Sequence, residues 1–274
     1  DTEVIVHLYE EKGIECLQDL NGMFAFALHD RKKDILFLAR DRMGEKPLHY
    51  YYKNGEFVFG SEIKSLLTFP GMNAGWDLEA LNLYLTYEYV PAPYSIYKDI
   101  RKVEAGNYLI LNREGLKTDC YWKPSFKRSA SQISLEESVK ELREHMARAV
   151  AMRTVSDVPL GAFLSGGIDS SLVAAFLARQ SSRRIQTFSI GFEESSFDES
   201  SHARQVAEFL GTDHHEERMT SKNMLSILPE ITRGLDEPFA DGSMLPTYLL
   251  CQFARRGVKV ALSGDGADEL FAGY

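Results

Sequence analysis

The sequence predicts two domains: an α+β domain built on antiparallel sheets, followed by an α/β domain built on a parallel sheet. Residues 20–122 contain short apolar runs separated by tight-turn signals, which is typical of antiparallel strands. Residues 123–134 are polar, include a proline and lack periodicity, so we expect a linker there. From residue 135 onward, strand, loop and helix patterns alternate, which favours a parallel sheet with helices on both faces. The predicted domains are therefore residues 1–122 and 135–274.

Composition limits the classes of protein that the chain can represent. The 274 residues are 44% apolar and 26% charged, which is enough apolar material for two folded domains. No apolar run reaches the roughly 20 residues that a transmembrane helix needs, so we expect no membrane association. The formal net charge of −9 disfavours a nucleic-acid surface, because such surfaces concentrate Lys and Arg. Cys16, Cys120 and Cys251 lack paired spacing, which indicates a reduced, cytoplasmic protein without a disulfide framework.

Two hairpins are expected in the first domain. The apolar runs at 49–52 and 57–59 flank Asn54-Gly55, a pair that tolerates the positive φ of a tight hairpin turn. A second pair of apolar runs, at 108–111 and around Leu116, brackets the turn sequence at 113–115. Short hairpins join antiparallel strands, so this domain should contain antiparallel sheet.

In the second domain, predicted strands and helices follow one another along the chain. Strands are expected at 158–164, 185–192, 215–219 and 258–262, and helices from Leu135 to Val150 and at 172–178, 203–210, 224–231 and 245–255. Gly211 should end the third of these helices, because glycine readily adopts the left-handed conformation that closes a helix.

The sequence at 163–171, Phe-Leu-Ser-Gly-Gly-Ile-Asp-Ser-Ser, predicts an anion-binding turn. A strand that runs through Ser165, Gly166 and Gly167 into a helix presents unpaired backbone N–H groups beside the positive end of the helix dipole. Ser170 or Ser171 can cap the helix or donate to a phosphate oxygen. No Gly-Lys-Ser/Thr follows, so the turn is not a Walker A loop. The alternative is a glycine turn that binds nothing.

Residues 165–170 resemble the pyrophosphate loop of the ATP pyrophosphatases, which cleave ATP between its α and β phosphates and adenylate a carboxylate or similar group. The resemblance implies that this loop holds the pyrophosphate that leaves.

A second glycine turn, at 263–266, follows the strand predicted at 258–262. Both turns lie at the carboxyl ends of parallel strands, where ligands gather. Their carboxylates would repel phosphate unless a cation neutralised them, and Mg²⁺ prefers one or two carboxylates plus phosphate oxygens. We therefore expect Asp169 and Asp268 to bind Mg²⁺. The alternative is that Asp268 and Glu269 only complement a helix dipole.

Motifs along the whole chain are similar to those of glutamine-hydrolysing asparagine synthetases. They are found at 20–27, 39–44, 46–48, 156–159, 165–170, 188–192, 235–238 and 263–269. The resemblance implies part of an N-terminal-nucleophile glutaminase fold in the first domain. It implies an adenine nucleotide α hydrolase-like synthetase fold in the second.

The same resemblance implies a reaction. ATP and Mg²⁺ would convert the side chain of aspartate to a β-aspartyl-AMP with release of pyrophosphate, and ammonia from glutamine would displace AMP to give asparagine. Asp265 would be the catalytic residue. The implied ATP-binding residues are Leu164, Ser165, Gly166, Gly167, Asp169, Ser170, Ser171, Ile190, Gly191, Ser263 and Gly264, and the implied substrate-side residues are Asp236, Glu237, Asp241 and Ser243. A turn explains Pro238 and Gly242 equally well.

The chain departs from the family at its first residue. The family's glutaminase uses an N-terminal cysteine, whereas this sequence begins with Asp1 and has no cysteine at a matching position. We therefore expect an internal piece of a longer protein that does not hydrolyse glutamine by itself. Asp1 matches the aspartate with which the family binds the amino group of glutamine.

Other functions fit parts of the sequence. A relative that amidates another carboxylate, such as one in a cell-wall precursor, or that closes a β-lactam ring would keep the same ATP loops. A catalytically silent nucleotide-binding module would not need Asp169, Asp265 and Asp268. A tRNA-thiolating enzyme is disfavoured by the net charge of −9. The expected partners are aspartate, glutamine and ATP, with no nucleic acid or membrane, and the sequence is compatible with a homodimer.

Overall fold

The computed structural model describes residues 2–72, 75–125, 133–194 and 198–273. The backbone forms two compact units. Unit 1 consists of Asp1–Arg128 and Arg233–Asp241, and unit 2 consists of Ser129–Thr232 and Gly242–Tyr274. Most of the predicted linker, residues 123–134, lies outside the described residues. Among the described helices, none combines the length and the apolar character needed to cross a bilayer.

Unit 1 contains two antiparallel sheets. Its elements are α1 (Thr2–Lys12), a 3₁₀ helix (Gly13–Gln18), β1 (Ala25–Asp30), β2 (Ile35–Arg40), β3 (His49–Lys53), β4 (Glu56–Gly60), α2 (Ile63–Leu66), α3 (Leu78–Tyr87), β5 (Ile100–Lys102), β6 (Asn107–Asn112) and β7 (Gly115–Cys120). The first sheet has the order β1-β2-β6-β7 and the second has the order β4-β3-β5. All of their strand pairs are antiparallel, as the sequence predicts.

Both predicted hairpins are present. Strands β3 and β4 pair with Lys53 opposite Glu56, and Asn54 and Gly55 form the turn with φ of 55° and 82°. These positive values explain why the turn needs Asn-Gly. Strands β6 and β7 form the second hairpin, which closes at Gly115 with a φ of 119°.

Two helices, α2 and α3, lie inside the stretch that the sequence predicts to be β-rich. Helix α3 begins after Asp77, whose carboxylate accepts hydrogen bonds from the backbone N–H groups of Glu79 and Ala80. An acidic N-cap before an apolar run is a recognised sign of a helix start. The helix could therefore have been predicted from Asp77.

The core of the first sheet is built around Phe37, which is completely buried. Its ring centroid lies 5.7 Å from that of Tyr9, 5.5 Å from that of Phe26 and 5.8 Å from that of Tyr108. Edge-to-face and offset contacts at these distances stabilise aromatic pairs beyond the burial of their area. Through Tyr9, the cluster packs helix α1 against the sheet.

The loop between β2 and β3 is organised by one buried carboxylate, that of Asp41. It accepts backbone hydrogen bonds from Phe24 at 3.3 Å, Met43 at 3.1 Å, Glu45 at 3.0 Å and Lys46 at 2.9 Å. A carboxylate is tolerated in the interior only when such donors replace water. These bonds give a structural reason for the aspartate in the motif at 39–44.

Unit 2 contains a parallel sheet with helices. Its elements are α4 (Leu135–Arg153), β8 (Leu160–Phe163), α5 (Ile168–Gln180), β9 (Gln186–Phe192), α6 (Ser200–Leu210), β10 (Asp213–Met219), α7 (Ser221–Gly234), α8 (Met244–Ala254), β11 (Val260–Leu262) and α9 (Ala267–Phe271). All three strand pairs are parallel. Every predicted strand of this domain is present, and Gly211 ends α6 in the left-handed conformation.

The strand order of this sheet is β10-β9-β8-β11. From β8 the chain moves outward to β9 and β10, and it later returns to add β11 on the other side of β8. In open parallel sheets, ligands bind outside the carboxyl ends of the strands at such a reversal, called the switch point. The two glycine turns follow β8 and β11, so the topology brings both turns to this position.

We expect the free energy of unfolding to fall at mildly acidic pH because of His49 in β3. Burial lowers the pKa of this imidazole to about 4, although its Nδ1 lies 3.0 Å from the carbonyl oxygen of Ser61. In the unfolded chain the pKa of this histidine is about 6.5. As the pH falls, the unfolded chain therefore binds a proton before the folded chain does. The free energy of unfolding should therefore be full above the pKa of the unfolded chain and should fall as the histidine is protonated there. The expected loss is about 2 kcal/mol between pH 7 and pH 5.

Urea denaturation at both pH values would measure this loss. The variant His49→Gln should show a smaller loss than the unchanged protein. His7→Gln, at a side chain that is 67% exposed, is the matched control and should leave the loss as it is. An undiminished loss in His49→Gln would show that another group is responsible.

Candidate active site

The two glycine turns of unit 2 are in direct contact. A methyl group added at Gly264 would lie 2.8 Å from the backbone nitrogen of Ser170 and 3.0 Å from the Cβ of Asp169. Only a residue without a side chain allows this approach, since real Cβ atoms are not found so close to backbone. The turn after β11 therefore lies against the first turn of α5.

The first turn is held by a small group of hydroxyls. The hydroxyls of Ser165 and Ser170 are 2.9 Å apart. Ser165 Oγ accepts a hydrogen bond from the N–H of Gly167 at 3.2 Å, and Ser170 Oγ accepts one from the N–H of Ser165 at 3.2 Å. These bonds fix the conformation of the loop before any ligand binds.

The start of α5 offers donors to an anion. Helix geometry leaves its first N–H groups without intrahelical partners, and no described side chain caps the helix at Gly167. In addition, the buried hydroxyl of Ser171 has no hydrogen-bond partner among the described residues. Unpaired backbone donors at the start of a helix are what a phosphate group would satisfy.

The first turn also packs against α6. Gly166 has a φ of 90°, and a methyl group there would lie 2.6 Å from the backbone nitrogen of Ala203 and 2.6 Å from the Cβ of His202. Both its conformation and its surroundings therefore require glycine. Helix α6 was expected from its periodicity, but its contact with the loop was not.

Asp198 joins the end of β9 to the start of α6. Its Oδ1 accepts hydrogen bonds from the backbone of Ser200 at 3.1 Å and of Phe192 at 3.4 Å. Hydrogen bonds from Ser200 lower the pKa of this carboxyl, so it stays ionised. A methyl group at Gly191 would lie 3.1 Å from Asp198 Oδ1. Asp198 was missed in the sequence, although an aspartate two residues before a helix is a capping signal.

The second turn positions Asp265 and Asp268. Ser263 donates its hydroxyl hydrogen to Asp265 Oδ2 at 2.8 Å. Gly266, with a φ of 92°, begins α9, and Asp268 lies in the first turn of that helix. A methyl group at Gly273 would collide with Asp268 Oδ1, so this carboxylate lies directly over Gly273.

The predicted ATP-binding residues are therefore arranged around the carboxyl ends of three adjacent strands. Leu164 is buried, and its backbone N–H donates a hydrogen bond to the carbonyl oxygen of Phe188 in β9 at 2.9 Å. Ile190 and Gly191 lie near the end of β9. Among the described residues, no group of three or more His, Cys, Asp or Glu side chains forms a metal site.

The predicted substrate-side residues are divided between the units. Asp236, Glu237 and Asp241 belong to unit 1, whereas Ser243 is the N-cap of α8 in unit 2. Asp1, the predicted glutamine-binding residue, lies outside the described residues.

Asp236 and Glu237 have partners within unit 1. Asp236 Oδ2 accepts a hydrogen bond from the N–H of Ile63 at 2.6 Å, at the start of α2. Glu237 pairs with the ammonium group of Lys102 and also accepts a hydrogen bond from the N–H of Ile96 at 3.3 Å. The sequence contains no local signal for these contacts, because the partners are far apart along the chain.

Two family models match the chain. Residues 1–122 match the glutamine amidotransferase domain and residues 141–274 match asparagine synthase. The chain is 40% identical over 280 residues to a putative glutamine-hydrolysing asparagine synthetase 2 of Methanocaldococcus jannaschii, with 100% of this chain and 54% of the relative covered. It is 37% identical over 276 residues to the glutamine-hydrolysing asparagine synthetase 1 of Bacillus subtilis, with coverage of 100% and 43%.

A third relative carries a different name. The amidase chyE of Penicillium rubens is 33% identical over 292 residues, and the alignment covers 100% of this chain and 43% of that protein. The chain thus spans about half the length of these relatives.

The contact between the glycine turns predicts that a methyl group added at Gly264 will destabilise the protein. Gly264→Ala should lower the free energy of unfolding by about 1–3 kcal/mol, because the backbone of α5 would have to move. Gly242→Ala is the matched control, since nothing lies within 4 Å of a methyl group there. Urea denaturation would measure both variants, and equal effects would contradict a close contact at Gly264.

Proposed function

Because the chain belongs to the family of glutamine-hydrolysing asparagine synthetases, we propose that the protein containing it makes asparagine from aspartate, using ATP and ammonia from glutamine. The observation that carries this proposal is the contact of Gly264 with Asp169 and Ser170 at the switch point. It supports one ligand, the triphosphate of ATP, lying across both turns.

The chemistry requires that the carboxylate of aspartate become an electrophile. Attachment of AMP achieves this, since AMP leaves far more readily than oxide. In our proposal, the backbone N–H groups at the start of α5 hold the departing pyrophosphate. They stabilise the charge that develops on it as the bond between the α and β phosphates breaks. The β-aspartyl-AMP then loses AMP to ammonia.

Asp265 would act as a base. Its carboxylate is exposed, and the hydroxyl of Ser263 orients it at 2.8 Å. We assign to it the proton that ammonia must lose once it has attacked the acyl carbon. The hydrogen bond from Ser263 would hold the accepting oxygen at a constant position during this transfer.

Asp169 and Asp268 would hold Mg²⁺. Two carboxylates suit this ion, because it takes one or two from the protein and completes its shell with phosphate oxygens and water. The close approach of Gly264 to Asp169 supports a site shared by the two turns. When bound, Mg²⁺ would neutralise charge on the phosphates.

Unit 1 would contribute to the supply of ammonia. Its antiparallel sheets match the expected amidotransferase fold. The predicted domains, residues 1–122 and 135–274, remain part of this proposal, with the addition that Arg233–Asp241 belongs to the compact unit 1.

The second candidate is amidation of a carboxylate other than that of aspartate. The amidase chyE of Penicillium rubens is 33% identical and aligns with 100% of this chain, and its name does not specify asparagine synthesis. In that case the ATP turns would serve the same adenylation, and a different acid would be activated.

Exchange of labelled pyrophosphate into ATP would test both candidates on the complete protein. We expect exchange that depends on aspartate. Asp169→Asn should reduce it, because a ligand of the metal is lost. Asp265→Asn should keep the exchange but slow amide formation by about 10²-fold or more, since proton transfer is impaired.

Glu141→Gln is the control for these variants. Glu141 is exposed, lies in α4, and is outside the motifs that carry the family resemblance. Exchange that requires another acid would replace the first candidate by the second. Absence of exchange with every acid tested would refute adenylation.

A further inference from the structure

The segment Arg233–Asp241, which we call the crossing segment, belongs to unit 1 although the residues on both sides of it belong to unit 2. It begins in the last turn of α7 and ends shortly before α8. The chain thus leaves unit 2, contributes a short stretch to unit 1 and returns. The segment is therefore covalently continuous with α7 and α8.

The first half of the crossing segment is held by the start of α2. Asp236 accepts hydrogen bonds from the N–H groups of Ile63 at 2.6 Å and Lys64 at 3.4 Å. In return, Lys64 donates its ammonium group to the carbonyl oxygen of Gly234 at 2.8 Å. The carboxylate of Asp236 thus lies at the N-terminus of α2. There it accepts hydrogen bonds from N–H groups without intrahelical partners, and its negative charge interacts favourably with the helix dipole.

The centre of the segment is held by Glu237. Its carboxylate pairs with the ammonium group of Lys102 in β5, and the side chains are only 18% and 13% exposed. Glu237 also accepts the N–H of Ile96 at 3.3 Å, and Lys102 also donates to the carbonyl oxygen of Val90. A charge pair with so little water is sensitive to the loss of either partner.

The end of the segment is held by backbone. Ala240 donates its N–H to the carbonyl oxygen of Glu88 at 2.9 Å. Glu88 itself closes α3 in the left-handed conformation, with a φ of 67°. The crossing segment is therefore bonded to α2, to β5 and to the end of α3, and a movement of any of these elements would pull on it.

Building on the proposed function, we propose that the crossing segment couples glutamine hydrolysis to amide formation, and that Lys102 is the residue that positions it. Asp236 and Glu237 act by anchoring the segment to unit 1. Ser243, which follows them in the sequence and is the N-cap of α8, is one of the substrate-side residues that the family resemblance implies. The segment is thus covalently continuous with a helix whose first residues the resemblance places on the substrate side.

Coupling of this kind means that glutamine hydrolysis and amide formation each affect the other through a coupling free energy. A change in that free energy need not change the rate of either activity when it is measured alone. Loss of the anchor should therefore leave ammonia-dependent synthesis and basal glutamine hydrolysis intact. It should instead raise the number of glutamines hydrolysed for each asparagine formed. A residue that serves only stability would lower all rates together.

The test uses the complete protein and the variant Lys102→Met. With aspartate and ATP present, the ratio of glutamate to asparagine formed from glutamine should rise about fivefold or more. At saturating aspartate and ATP, the rate of asparagine formation from added ammonia should stay within about twofold of the unchanged protein, because Lys102 belongs neither to the ATP turns nor to the implied substrate-side residues. Hydrogen exchange at residues 234–241 should become faster.

Two further variants serve as controls. Lys102→Arg keeps the positive charge opposite Glu237 and should restore most of the coupling. Lys53→Met removes a more exposed ion pair in the neighbouring strand β3, where Lys53 Nζ lies 3.0 Å from Asp99 Oδ2, and should leave the ratio unchanged. If Lys102→Met does not fold, Lys64→Met removes a different anchor of the same segment and should raise the ratio.

The outcomes separate this inference from the proposed function. An unchanged protein that forms no amide from ammonia, aspartate and ATP would refute the proposed function, and the coupling with it. If that activity is present, an unaltered ratio in Lys102→Met despite faster exchange of the segment would refute coupling alone. An equal fall of all rates that Lys102→Arg does not reverse would also refute it.

Discussion

The candidate site depends on the order of four parallel strands. Because β11 joins β8 on the side opposite β9, the turns after β8 and β11 become neighbours. Their contact requires Gly264, since its backbone approaches Ser170 too closely for a side chain. The start of α5 and the turn that carries Asp265 are thereby brought together. Without this strand order, neither glycine motif would be more than a turn.

The loops are prepared for a ligand to different degrees. The hydroxyls of Ser165 and Ser170 bond to each other and to the loop backbone, so the shape of the first turn is set in advance. Ser171 differs, because its buried hydroxyl lacks a partner among the described residues. A buried polar atom without a partner costs free energy. That cost is absent at Ser165 and Ser170, whose hydroxyls are bonded within the loop.

Local patterns predicted the parts of the fold that depend on neighbouring residues. Asn54-Gly55 specified a hairpin and Gly211 a helix end, because backbone conformation at these positions is a property of the residues themselves. The juxtaposition of the two turns followed from a general rule about parallel sheets. The anchoring of Asp236 and Glu237 could not be predicted, since Ile63 and Lys102 are far away in sequence. The same carboxylates fit a substrate-binding role equally well until their partners are known.

The pair of Lys102 and Glu237 shows why such contacts are more than a source of stability. Burial raises the pKa of Glu237, whereas the ammonium group of Lys102 opposes that change. A buried ion pair often stabilises a fold no better than apolar residues of similar size, because both charges lose their water. We infer that its role here is to specify a position, because each charge must meet its partner to offset the water that it has lost. For a segment that leaves one unit, enters another and returns, a defined position matters more than a small gain in stability. Apolar contacts would let the segment slide, whereas the paired charges, the bonds of Asp236 to α2 and the bond of Ala240 to Glu88 hold it at a single position.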